Sequence, residues 1–371
     1  MPVFPAEIIQ SIVEELPTPF EQAKMCLVST QCKAAALPVL YRHVKLRSLK
    51  MTTRFCATVN KFPARGNYVR SFIVEPEAGA DKWGDLLEFT TLRRALLLFS
   101  QLEHLHIWIP SYDDDLFHTF TTLTLPRLRR FACHQPSFAY DNLLGDFLAR
   151  HTTLTELCII RPFGYQWDNP SRPTDMSMSL PMVPLPALQS YSGSYSYFLR
   201  LVVRNRRLAH ASFWDIPQSS LDRNVLVHRL ANALAQASEP IPGPGLKLSI
   251  LGDAFGAEAI PILARVLPHL RTLEIGPFVN PPCRLHPTTL PIISSVLKHL
   301  PLLTTLSVHS SADLMDPMRA GTNGNRDEVV KQDAVVLTMW AKLCPSLVAS
   351  RLHNQHWQRL PVPGSPWVMV S

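Results

Sequence analysis

The sequence predicts an α/β protein: a small N-terminal bundle of three helices, then an irregular α/β solenoid of helix–strand units with a curved parallel sheet. Three observations carry this. Residues 4–43 hold three short helix-like stretches punctuated by proline. From residue 69 onward the phrase Leu-x-x-apolar-x-apolar keeps returning. In its late copies the phrase follows an amphipathic stretch and a Leu-Pro pair, so helix, turn and strand recur as one unit.

The first helix is expected to open near Pro5, because proline suits a first turn in which its missing N–H has no partner to lose. Ile8, Ile9, Ile12, Val13 and Leu16 follow at helical spacing and read as one apolar stripe. Pro17 stops it. Thr18 and Pro19 restart the chain as an N-cap and first helical residue, and Phe20, Ala23, Leu27 and Val28 form the next stripe. The third helix starts near Gln31 with Cys32, Ala35, Ala36, Val39 and Leu40 inward, and Pro38 is expected to kink or divide it. A unit this small buries little surface and needs something to lean on.

The stretches "FPAEII", "CLVSTQC" and "ALPVLYRHVKL" together resemble the F-box, most of all the form common in large fungal families of F-box proteins. Pro5, Glu7 and Ile8 match the opening of that pattern, Leu27, Val28 and Ser29 its middle, and Leu40, Tyr41, Arg42 and His43 its close. Phe4 stands where leucine is usual, and Cys32 stands where tryptophan is frequent, which removes aromatic bulk. The resemblance covers residues 1–50. It implies docking to a Skp-type adaptor, and through it to a cullin ligase complex. The residues so implicated are Phe4, Pro5, Ile8, Ile9, Ile12, Leu16, Leu27, Val28, Cys32, Leu40 and Tyr41.

The remainder, residues 51–371, carries the recurring phrase. It reads "LEHLHI" at 102–107, "LRRFAC" at 128–133, "LTELCI" at 154–159, "LAHASF" at 208–213, "LRTLEI" at 270–275 and "LTTLSV" at 303–308, with weaker versions at 69–74, 188–193 and 347–352. Leu102, Leu128 and Leu154 are spaced by 26 residues, whereas Leu303 and Leu347 are 44 apart. Such units cannot bury their own faces and must stack on neighbours. Their irregularity resembles the degenerate leucine-rich repeats that follow many F-boxes, without the asparagine of standard repeats. A conventional α/β domain is the plainer alternative. Long loops are expected at 161–188 and 315–333. Tyr165 and Trp167 in the first are the residue types that anchor interfaces, so they are the expected substrate-binding residues.

Composition narrows the function classes. Hydrophobic residues make up 46% of the 371 and charged ones 18%, as in a folded, core-rich protein. The seven cysteines are scattered without a C-x-x-C pair, which argues for a reducing compartment, cytosol or nucleus, and against a structural zinc site. Apolar runs are too short to span a bilayer. The net charge of +7 raises a nucleic-acid reading, but acidic stretches such as Asp113, Asp114 and Asp115 break the basic field, and solvated surface is preferred. No phosphate-binding loop, dinucleotide fingerprint or nucleophile elbow is present. His104 with His106, and His353 with His356, could each supply two metal ligands, but neither pair has an evident third. Together with the F-box resemblance, which implies recruitment of a protein target for ubiquitination, the expectation is a non-enzymatic subunit without cofactor or metal. The alternative is a repeat scaffold without any ligase.

Overall fold

The computed structural model describes residues 4–75, 89–108, 123–134, 141–160, 182–202, 207–213, 220–238, 245–251, 259–276, 289–309, 326–352, 355–362 and 364–370. The chain divides into two compact units, Met1–Leu185 and Pro186–Ser371. Both are mixed α/β with mostly parallel strands.

The first unit begins with three short helices. In α1 (Ala6–Glu14) the Pro5 carbonyl accepts from the Ile8 and Ile9 N–H groups at 3.1 and 3.2 Å. Helix α2 (Pro19–Met25) is capped as its sequence predicts: Thr18 Oγ1 accepts from the Glu21 N–H at 3.2 Å and donates to the Glu21 carboxylate at 3.0 Å. Ser29 caps α3 (Thr30–Arg42) through the Cys32 N–H at 3.0 Å. The expected division at Pro38 does not occur, and α3 runs through it. Proline forfeits the bond its own nitrogen would make and crowds the carbonyl four residues earlier, while Ala35 and Ala36, packed in the bundle core just before it, favour the helix.

That core is Ile9, Val13, Ala35 and Ala36, with Met25, Cys26, Cys32 and Val39 partly buried around it. Two expected stripes are therefore corrected. The α1 stripe splits, with Ile9 and Val13 inward and Ile8 and Ile12 half-exposed. In α2 no residue is buried, and Phe20, Leu27 and Val28 face solvent. With alanines lining α3, the bundle has room for one row of isoleucine-sized side chains, so the second row stays outside.

From α3 the chain passes directly into β1 (His43–Leu46), followed by α4 (Leu49–Lys61), a 3₁₀ turn (Pro63–Tyr68), β2 (Ser71–Val74), α5 (Phe89–Leu97), β3 (His104–Ile107), β4 (Arg130–His134), α6 (Asp141–Arg150), β5 (Glu156–Ile160) and β6 (Val183–Pro184). Strands β1 to β5 are parallel, each beside the next and in unbroken register. Alternate residues thus form rows. Val44, Phe72, Leu105, Phe131 and Leu157 are buried on one face, with Leu46, Val74, Ile107, Cys133 and Ile159. Helix-side aromatics meet this face, Phe99 at 5.2 Å from Phe72 and Phe147 at 4.8 Å from Phe131 between ring centres.

The recurring phrase has a physical meaning here. Its first residue (Val69, Leu102, Leu128, Leu154) is buried, and its N–H bonds the carbonyl three residues earlier at 3.0–3.2 Å. The next two N–H groups converge on one carbonyl of the preceding unit: Glu103 and His104 on Arg70, Arg129 and Arg130 on Glu103, Thr155 and Glu156 on Arg129. The fourth and sixth residues then point into the core.

The second unit uses the same device. Its elements are β7 (Ser190–Gly193), α7 (Tyr195–Phe198), β8 (Leu201–Val202), β9 (His210–Phe213), α8 (Ser220–Ala237), β10 (Leu246–Leu251), α9 (Ala259–Val266), β11 (Leu270–Gly276), α10 (Thr289–Leu297), β12 (Thr305–Val308), α11 (Arg326–Leu343), β13 (Ala349–Leu352), β14 (Gln355–Gln358) and β15 (Val368–Val370). Strands β7, β9, β10, β11, β12 and β13 are parallel neighbours in that order. Strands β14 and β15 then add antiparallel. The loop expected to run to residue 333 ends earlier, at Arg326, where the 18-residue α11 begins. Its charged beginning looks loop-like, but Asp333, Leu337 and Trp340 are buried at helical spacing.

Candidate functional site: an exposed apolar surface on the first helices

Helix α1 presents Ile8 and Ile12, 47% and 48% exposed, on the side away from the bundle core. One turn apart, they meet Leu16 in a shallow depression of about 570 Å³ lined also by Glu7, Ser11 and Glu15. Beyond α2 the chain turns through Leu27 and Val28, whose N–H groups bond the Lys24 and Met25 carbonyls at 2.9 and 3.2 Å. Leu27 is 86% exposed and Val28 also faces water. Folding alone gives no reason to leave apolar side chains this large in solvent.

The residues implicated by sequence divide accordingly. Phe4, Pro5, Ile8, Ile12, Leu27 and Val28 are exposed and Leu16 is half-buried. Phe4 is tied down by its carbonyl, which accepts from Gln31 Nε2 at 2.6 Å. Ile9 belongs to the bundle core, and Cys32 packs against it. Leu40 is half-buried. Tyr41 turns toward α4, with its ring 5.7 Å from Phe55 and its hydroxyl accepting from Arg65 Nη1 at 2.9 Å. Ile9, Cys32 and Tyr41 are thus engaged within the chain, with Cys32 and Tyr41 half-buried.

Sequence reasoning missed Phe20, exposed beside the Lys24 ammonium, which sits 4.4 Å from its ring centre. It also missed the acidic rim of Glu7 and Glu15, readable as the residues that flank Ile8, Ser11 and Ile12 at helical spacing. A third carboxylate, Glu14, is held below the usual carboxylate range by a hydrogen bond from Gln10, against some burial, with Arg42 at 3.0 Å adding to the effect.

Tyr165 and Trp167 lie outside the described residues, as do Asp113, Asp114, Asp115 and His353. His104 and His106 share one face of β3, with rings 6.5 Å apart and His106 5.9 Å from Trp108. Burial pushes His104 down to about 4, assisted by His106, Arg130 and His43, and burial also lowers His106. The Ser71 hydroxyl lies 3.3 Å from His104 Nδ1, and the same cross-strand contact recurs between Ser190 and His210 at 3.2 Å. These serine–histidine contacts are rungs between register partners.

Around them, cations on the open strand faces have carboxylate partners: Lys45 with Glu75 at 2.6 Å, Arg130 with Glu156 at 3.1 Å and Lys247 with Glu274 at 2.8 Å. These pairs interleave the two signs on the strand faces and leave the net charge of +7 unchanged. Among the described residues, no group of three or more histidine, cysteine or carboxylate side chains is placed to hold a metal ion. No helix among them is long and apolar enough to cross a membrane. The described cysteines are all free thiols, and burial pushes Cys56 up to about 12. No family model matches this chain, and no curated protein sequence matches it.

Proposed function

We propose that this protein is the substrate-recognition subunit of a Skp–cullin–F-box type ubiquitin ligase. In this reading residues 1–50 are an F-box that docks on a Skp-type adaptor, and the strand–helix units beyond are a leucine-rich-repeat-like solenoid that recruits a protein target. The observation that carries the reading is the coincidence of motif and exposure: Ile8, Leu27 and Val28 occupy motif positions and stand in solvent. The stacked units with their repeated turn hydrogen bonds support the solenoid. Ubiquitin chemistry would belong to partner subunits, and this chain would supply proximity and orientation.

The experiment is co-purification with a Skp-type adaptor. Ile8→Asp with Leu27→Asp is expected to abolish it, because an apolar contact cannot take up unpaired carboxylates. Both positions are exposed, so the variant should keep wild-type circular dichroism. Unchanged adaptor binding by the folded variant would defeat the F-box reading and leave a repeat-type interaction scaffold without a ligase. A chain lacking residues 1–50 should keep its target and lose the target's ubiquitination, since a specific interface needs on the order of 800 Å² per partner, more than the bundle can spare.

A further inference from the structure

Helix α11 carries a second unpartnered apolar stripe. Val335, Met339 and Leu343 are exposed at successive turns of one face, while Leu337 and Trp340 on the opposite face are fully buried. Exposed Lys331 and Lys342 lie along the same face, four residues before Val335 and one before Leu343. Helix α1 and its end present the counterpart, with Ile8, Ile12 and Leu16 at the same spacing and Glu7 and Glu15 as rim. The apolar spacings are equal and the rim charges are opposite. Two amphipathic helical faces of this kind bury each other's stripes and pair their rims.

We propose that copies of this chain associate head to tail, with the Ile8–Ile12 face of α1 in one copy seated on the Val335–Met339–Leu343 face of α11 in another. The contact is heterologous, so it extends from copy to copy unless the rotation closes a ring. It does not depend on the adaptor reading, although an adaptor bound at Ile8 and Ile12 would compete with it.

The test is sedimentation velocity on the full chain, with paired charge reversals. Wild type should show a mass that rises above the monomer through the micromolar range and falls back as salt is added. Glu7→Lys with Glu15→Lys makes both faces basic, and Lys331→Glu with Lys342→Glu makes both acidic. Each variant alone should associate more than about tenfold more weakly, through like-charge repulsion. Mixed together, the two variants should associate again, which no loss of folding could produce. The four positions are exposed, and unchanged thermal unfolding would verify that each variant folds; Glu15→Gln and Lys342→Gln provide milder versions with a smaller loss in the same direction. A wild type monomeric throughout, a fixed-mass dimer indifferent to the reversals, or a mixture that stays monomeric would each overturn the proposal. So would a monomer that binds anionic lipid vesicles through Lys331 and Lys342.

Discussion

Arg65 donates from Nη1 to the Tyr41 hydroxyl at 2.9 Å and lays its guanidinium over the Phe62 ring at 4.2 Å. Tyr41 lies in the last turn of the third helix and Arg65 in the turn before β2, so this bond fastens the N-terminal bundle to the first strand–helix unit. Tyr41→Phe should cost about 0.5–1.5 kcal/mol, the usual net value of one hydrogen bond. Arg65→Ala also loses the stacking and should cost about 1–2 kcal/mol. Urea midpoints would measure both. Equal stability of Tyr41→Phe and wild type would show the bond to be solvent-compensated.

Ile8 and Ile9 are adjacent in sequence and opposite in role. Ile9→Ala empties a core position and should cost about 2–5 kcal/mol. Ile8→Ala touches only exposed surface and should stay within about 0.5 kcal/mol. Thermal unfolding of the pair reads the inside and outside of α1 directly, and equal losses would mean that the stripe is not divided as described.

Gly66 tolerates no side chain. A Cβ there would stand 2.7 Å from the Leu98 carbonyl oxygen and 2.9 Å from the Leu98 Cβ, and neither is the end of a flexible group. Gly66→Ala should therefore shift backbone between the 3₁₀ turn and the end of α5, at about 1–3 kcal/mol. A neutral result in denaturant unfolding would show that the turn yields freely.

Acid should weaken the fold in two stages. His104, His106, His151 and His210 all have lowered pKa values, chiefly through burial. The unfolded chain then binds more protons than the folded one below the ordinary histidine value. Their contribution is complete above about 6.5 and is lost as pH falls, for His104 down to about 4. Glu75 and Glu274 are also lowered, Glu75 mainly by the hydrogen bond from Lys45 and Glu274 by Lys247 and Ser249 against burial, so they add a loss in more acid solution. His104→Gln should flatten the fall of Tm between pH 6.5 and 4. An unchanged slope would place the acid sensitivity elsewhere.

The fold was legible wherever a local rule coincides with packing. The phrase with anchors at Leu102, Leu128 and Leu154 locates three adjacent parallel strands, and that at Leu270 and Leu303 locates two more. The phrase works because its first residue must be buried for its turn to form. Strand β10 escaped because Ser249 stands where the phrase needs an apolar fourth residue, leaving only the alternation of Leu246, Leu248 and Ile250. The closing antiparallel strands escaped because Gln355–Gln358 and Val368–Val370 are short and lie outside the recurring phrase. Of the candidate surface, the motif located the helices but not their orientation. Which isoleucines face outward depends on Ala35 and Ala36 in another helix, and only packing decides that.

Arg359 is the residue on which the last two strands should depend. It is 8% exposed, donates from Nε to the Leu347 carbonyl at 2.6 Å and from Nη2 to the Pro345 carbonyl, and faces the Trp367 ring at 5.8 Å. Trp367 in turn donates from Nε1 to the Leu337 carbonyl in α11 at 3.0 Å. A buried guanidinium is tolerable because its fork meets two backbone carbonyls. Arg359→Leu keeps some bulk and strands those acceptors, at about 1–3 kcal/mol. Arg359→Lys keeps the charge but cannot serve both carbonyls from a planar fork, so it should recover only part of the loss. The effect should be local, because β14 and β15 lie at the end of their sheet and are joined to it through β13 alone. Hydrogen exchange should then show faster exchange at the amides of Trp357, Gln358 and Met369, while those of Leu273 and Leu306, in strands with two parallel neighbours, keep their protection. Uniform acceleration across all five would mean that Arg359 supports the whole unit rather than its closing strands.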